Sequence, residues 1–228
     1  MRDGFDNSPL NEIPPVVWAL LIPVVAVEVV VAAGASGFVG GPGAVGWRLD
    51  ALQRFAFSPE ILKYMLETGA WPAEHVMRFV TYLFVHGSTT HAVFASVFVL
   101  ALGKFVGEVF RAWAVVAVFF TSAIVGALAY SAIPDLRVPL FGAYPAVYGL
   151  IGAFTFILWA RLGAEHANRY RAFTLIGFLM GIKLVFGLLF GGGLDWVADL
   201  AGFVAGFALS FVVSPGGWTA VVARLRQR

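Results

Sequence analysis

The sequence predicts an all-α polytopic membrane protein: a six-helix bundle in one domain, with a long amphipathic first outer loop. Three observations carry this. Of 228 residues, 60% are hydrophobic and only 12% charged, with a mean hydropathy of +0.87; a soluble domain has roughly half its residues apolar and a quarter charged. The apolar residues fall in long unbroken runs that do not alternate, which argues against a β-barrel. The runs number six and use most of the chain, each near the ~20 residues needed to cross ~30 Å of hydrocarbon. Cys is absent, which excludes disulfides, thiol catalysis and thiolate metal sites. A net charge of +2 is too small to suggest nucleic acid.

Polar and Gly/Pro punctuation places the spans at Pro15–Ala33, Val76–Gly103, Ala112–Ala132, Phe141–Trp159, Ala172–Phe190 and Leu194–Val213. The first is longer than a signal-peptide core and contains Glu28, so it reads as an uncleaved helix. With a cytoplasmic N-terminus, inner segments hold nine Lys/Arg (Arg2, Lys104, Arg111, Arg161, Arg169, Arg171, Arg224, Arg226 and Arg228). Outer segments hold five (Arg48, Arg54, Lys63, Arg78 and Arg137), in accord with the positive-inside rule. Residues 1–14 are then a cytoplasmic N-terminus and 214–228 a basic cytoplasmic tail against lipid headgroups. Residues 34–75 form the outer loop, whose apolar positions suggest short amphipathic helices in the interface. Trp18, Trp113, Trp159 and Trp218 near span ends read as an interfacial belt. The short N-terminus without a transit peptide points to a bacterial inner membrane.

Three clusters stand out: Arg78-Phe-Val-Thr-Tyr-Leu-Phe-Val-His86-Gly-Ser-Thr-Thr-His91, then Gly142-Ala-Tyr144-Pro-Ala-Val-Tyr148-Gly149-Leu-Ile-Gly152, then Asp199-Leu-Ala-Gly202-Phe-Val-Ala-Gly206-Phe. Their order, spacing and placement in six spans resemble the rhomboid intramembrane serine proteases, over about Arg78 to Phe207. The resemblance implies a nucleophilic Ser in a Gly-x-Ser motif opening span four, where this chain has Tyr144. It implies a His base before the Gly-xxx-Gly stripe of span six, here Asp199. It implies an Asn supporting the oxyanion hole four residues after the second His, here Ala95. His91 alone of that catalytic set stands at its matching position. Arg78, His86, Gly142, Tyr148, Gly202 and Gly206 match family positions of architecture or cavity shape.

Serine-protease chemistry needs a hydroxyl, an imidazole to take its proton and donors aimed at the oxyanion. A phenol on a longer arm sits several Å from where a serine hydroxyl attacks, against a near-attack distance of about 3 Å. Ser88 and Ser96 flank His91 in sequence, but Ser96 projects in a different direction. His86 and His91, five apart, miss the spacing that places two ligands on one helical face. Tyr144 and Tyr148 share a face and fill the cavity. Pro145 suits the first turn of a helix, where its missing N–H is not needed. Gly149, Gly152, Gly202 and Gly206 let spans four and six approach closely.

Charges inside spans are costly unless paired or wet. Glu28 and Lys183 both lie roughly 20 Å from the inner surface at 1.5 Å per residue, and Asp199 reaches a similar depth. Lys183 is therefore expected to pair with Asp199 or Glu28. By its resemblance to derlins and inactive rhomboids, the chain reads as a rhomboid-like pseudoprotease binding transmembrane helices of another membrane protein, as scaffold, chaperone-like factor or accessory subunit. No cofactor, metal or nucleic acid enters this reading; the bilayer does. The alternatives are an active rhomboid-type serine endopeptidase with a non-standard site, and a small transporter or channel.

Overall fold

A computed structural model describes residues 12–217; Arg2, Trp218 and the tail arginines Arg224, Arg226 and Arg228 lie outside that range. Among the described residues, six helices are long and apolar enough to span a membrane: α1 (Pro15–Ala35), α6 (Thr89–Val109), α7 (Ala112–Ser131), α8 (Tyr144–Ala164), α9 (Thr174–Phe190, extended by a 3₁₀ turn at Arg169–Phe173) and α10 (Trp196–Val213). The protein is an integral multi-pass membrane protein. Four short helices lie between the first two spans: α2 (Trp47–Phe55), α3 (Pro59–Thr68), α4 (Ala73–Val76) and α5 (Arg78–Thr81).

Most span ends fall within a few residues of the expected ones, but the second differs. The expected span Val76–Gly103 begins at Thr89 and runs to Val109. Backbone geometry explains the shift. Val85 is extended, and Ser88 caps α6 by accepting from the His91 amide, satisfying one of the first-turn donors a helix leaves open. Upstream, Arg78 and Thr81 donate to the carbonyls of Ala56 and Phe55. This stretch belongs to the loop layer, not the span.

α8 is the central helix: Pro145–Ala153 is continuously buried. It packs against α10 at near-backbone distance. A Cβ added at Gly202 would collide with the Pro145 carbonyl, and one at Gly206 with the Gly149 carbonyl. In lipid, where apolar burial gives no preference for helix over acyl chain, such close approach is what holds helices together. At the far end, Phe156, Trp159, Phe207 and Phe211 form an aromatic layer, with Phe156 and Phe211 4.8 Å apart edge-to-face. The Arg169 guanidinium lies 4.8 Å over the Trp159 ring. α9 is the outlier, with only Ile176 and Met180 buried.

The loop layer is fastened to the bundle by charge. Glu28, buried in α1, takes Arg48 of α2 in a bidentate pair at 2.7 and 3.0 Å. It also accepts from Thr89 at the start of α6, while Arg48 donates to the His86 carbonyl. A charge-assisted fork of this kind is roughly twice as strong as a neutral hydrogen bond. Glu28 is thus satisfied by the loop, not by Lys183. Of the two partners expected for Lys183, Glu28 is the one not used: Arg48 folds back from outside the spans to its carboxylate.

Candidate functional site

The site forms at the end of the bundle where α1 finishes and where α6, α8 and α10 begin. A short antiparallel bridge, Phe57 to Leu140, joins the loop layer to the strand-like segment before α8 through reciprocal bonds of 2.9 and 2.8 Å. Two more bonds fix the entry to α8. The Gly142 amide donates to the Tyr82 carbonyl, and the fully buried Tyr82 hydroxyl donates to the Ala123 carbonyl in α7. Gly142 has φ +95°, a conformation glycine adopts without Cβ penalty. A Cβ there would also lie within 2.7 to 2.8 Å of the His91 ring. Gly142 therefore lets the imidazole reach the chain just before Tyr144.

His91 occupies the centre of an aromatic stack. The His86 ring meets it edge-on at 5.0 Å, and Tyr144 lies parallel to it at 5.0 Å with planes 13° apart. Phe141 closes a third side at 6.1 Å. An imidazole carries its N–H and lone pair in the ring plane. Stacked face-to-face on Tyr144, it directs neither nitrogen at the phenol oxygen. The alternative hydroxyl, Ser88, is engaged as the cap of α6 through the His91 backbone. Ala95, fully buried, presents a methyl and no hydrogen-bond donor. Tyr148, one turn along α8 from Tyr144, is buried.

Asp199 is nearly sealed, and its carboxylate receives the Lys183 ammonium of α9. The depth arithmetic had this partner. It did not include Asp195, whose carboxylate takes the same ammonium at 2.8 Å. Lys183 also stands 5.8 Å from the Tyr144 ring centroid, within cation–π range. The sequence signal for Asp195 was its place four residues before Asp199, one helical turn away. Among the described residues, no group of three or more His, Asp or Glu side chains is arranged to hold a metal.

His86 is outside the spans and buried. Its Nε2 accepts from the Ala143 amide, and burial, then the neighbouring His91, pushes its pKa down to about 4; the nearby Glu28 opposes this and Arg48 adds to it. A histidine depressed in the folded state stays neutral there while the unfolded chain takes up a proton below its ordinary value near 6.5. Stability is thus complete above that value and is lost as pH falls from about 6.5 towards 4. Unfolding in detergent micelles should show this loss at a slope approaching about 1.4 kcal/mol per pH unit. His86→Gln should flatten that part of the profile, because a neutral amide has no proton to gain.

The family model for the rhomboid domain matches residues 73–216, the stretch that contains His86, His91, Ala95, Gly142, Tyr144, Tyr148, Lys183, Asp195 and Asp199. Rhomboid-like protease 3 of Toxoplasma gondii is 31% identical over 135 residues, which is 58% of this chain. The chain spans 49% of that relative's length. With the fold, the Arg78–His86–His91 series and the glycine contacts of α8 and α10 in place, the chain belongs to the rhomboid family.

Proposed function

We propose that this protein is a rhomboid-like pseudoprotease whose former catalytic chamber binds transmembrane helices of other membrane proteins. One observation carries the reading: Tyr144 lies face-on against His91 while Asp199 is held by Lys183. A nucleophile must present its hydroxyl in the plane of the imidazole lone pair; a stacked phenol does not. A carboxylate bound to an ammonium is a poor proton acceptor, since taking the proton would break the pair. Ala95 supplies no oxyanion donor, and such a donor is worth about 10²–10³ in rate where it has been removed.

The same reading carries an orientation. Arg111 precedes α7, Arg161 lies in the last turn of α8, and Arg169 and Arg171 precede α9. These lie at the end opposite the site, and the full count of nine Lys/Arg in inner segments against five in outer ones favours a cytoplasmic position for that end by the positive-inside rule. The site would face outward, with helices entering from the bilayer.

The test is direct. Purified protein in liposomes is incubated with a single-span rhomboid substrate, beside an active rhomboid protease as positive control. No cleavage above background is expected, while a photoreactive group on the substrate crosslinks to the chain. Cleavage that disappears in Tyr144→Phe or Asp199→Asn would overturn the proposal in favour of a peptidase with unusual residues.

A further inference from the structure

A groove of about 550 Å³ lies between the side of α1 and α2, within the ~300–1,000 Å³ usual for ligand sites. Each helix gives it one face: Val27, Val30 and Val31 from α1, and Trp47, Asp50 and Arg54 from α2, both sets at helical stripe spacing. Two contacts fix the helices beside each other. Arg48 forks onto Glu28, and the Trp47 ring lies 2.6 Å from where a Cβ at Gly34 would stand. At 1.5 Å per residue the valine wall lies about 6–12 Å below the site end of α1. α1 itself, with 21 residues, is about one hydrocarbon thickness long. The wall is therefore at acyl-chain depth, while α2, in the loop layer, supplies a polar rim.

That rim carries one charge of each sign. Asp50 and Arg54 stand one turn apart on α2 and are exposed, at a spacing that lets opposite charges pair. Among the described residues, however, neither is in an ion pair, so both are open to a ligand. We propose that the groove binds one phosphatidylethanolamine molecule, its phosphate on Arg54, its ammonium on Asp50 and an acyl chain along Val27 and Val30. A guanidinium meets phosphate oxygens in a two-bond fork, and a primary ammonium brings N–H donors that a carboxylate accepts. Positions four apart on a helix are about 5–6 Å from each other, the scale of the separation between the two charges of this headgroup. A choline headgroup covers its charge with methyl groups, and a glycerol headgroup offers Asp50 no cation. A soluble phosphate compound would leave the valine wall empty, and an apolar membrane helix would leave both rim charges unmatched. The groove shares no residue with the chamber of Tyr144, so the inference is independent of the client-binding reading.

The full chain, stripped of lipid in a neutral detergent, is titrated at neutral pH with phosphatidylethanolamine, phosphatidylglycerol and phosphatidylcholine of identical acyl chains. Bound lipid is counted by native mass spectrometry. The ethanolamine lipid is expected to bind about tenfold more tightly than either of the others, a difference of about 1.4 kcal/mol. Asp50→Asn should bring its advantage over the choline lipid to near one, and Arg54→Gln should weaken all three. Ala26→Trp, which fills the groove from the α1 side, should abolish the preference. All three positions are exposed, where substitutions leave the fold in place. Glycerophosphoethanolamine, the same headgroup without acyl chains, should not displace the lipid at equal concentration; displacement would mean that the valine wall takes no part, and overturns the inference. Equal affinity for the three lipids overturns it, as does an ethanolamine preference that survives Asp50→Asn or Ala26→Trp. A lipid-free dimer that Ala26→Trp dissociates overturns it as well, by giving the groove to a second copy of the chain.

Discussion

Lys183→Met is expected to destabilise the bundle by about 3–5 kcal/mol, the range for removing one partner of a buried pair. The loss would be read as a shift in the sodium dodecyl sulfate fraction needed to unfold the protein in mixed micelles. Asp199 makes the effect large. Its side chain is almost fully enclosed between α8 and α10, and Lys183 is the cation that meets it. Without that ammonium the carboxylate must either stay charged in a dry site or take a proton. The double variant Lys183→Met with Asp199→Leu should recover most of the loss, because replacing both members of a buried pair by apolar groups is often neutral. If the single variant unfolds like the unaltered protein, Lys183 contributes only solubility at the bundle edge. Asp195→Asn is the comparison of small effect, since its half-exposed carboxylate retains water whether or not Lys183 is present.

The contrast between Asp199 and Glu28 shows what could be read from the chain and what could not. Both are carboxylates at similar depth, and depth alone gave Lys183 two candidate partners. The pairing with Asp199 forms because α9 and α10 are neighbours joined by a short glycine-rich turn, Gly191–Asp195. The pairing with Glu28 does not, because Arg48, twenty residues further along the chain in the loop layer, takes that carboxylate, and no hydropathy profile describes how that layer folds. The spans themselves were legible because the bilayer imposes one length and one composition on every crossing helix. The start of the second was not. Residues 76–85 are as apolar as a span, and only the Gly87–Ser88 break and cap separate loop from helix.

The site divides the same way. Residue identities at Tyr144, Asp199 and Ala95 were visible in the sequence, since they depend on motif register alone. The face-to-face stack of Tyr144 on His91 was not, because ring orientation follows from how Gly142, Tyr82 and Phe141 hold the entry to α8. That orientation matters more to the chemistry than the identity does. A phenol edge-on to the imidazole would still exchange a proton with it; a phenol lying flat does not.

Gly206→Val is expected to be the most damaging single substitution at the glycine seam, costing at least about 4 kcal/mol, the range reached only by specific mechanisms such as core overpacking. A Cβ at position 206 meets the backbone carbonyl of Gly149, not a side chain that can swing away. Relief would require α10 to slide or part from α8. That movement would also disturb Gly202 against Pro145 and Gly152 against Phe203, so the contacts fail together. Because α8 carries Tyr144 and α10 carries Asp199, separating them dismantles the chamber along with the seam. Gly177→Ala on α9 provides the control. A Cβ there meets nothing within 4 Å, and exchanging helical Gly for Ala should stabilise slightly, by up to about 1 kcal/mol. Detergent unfolding of both variants in parallel would separate the two cases. Equal tolerance at both positions would mean that α8 and α10 are held by their flanking aromatic layer and not by backbone approach.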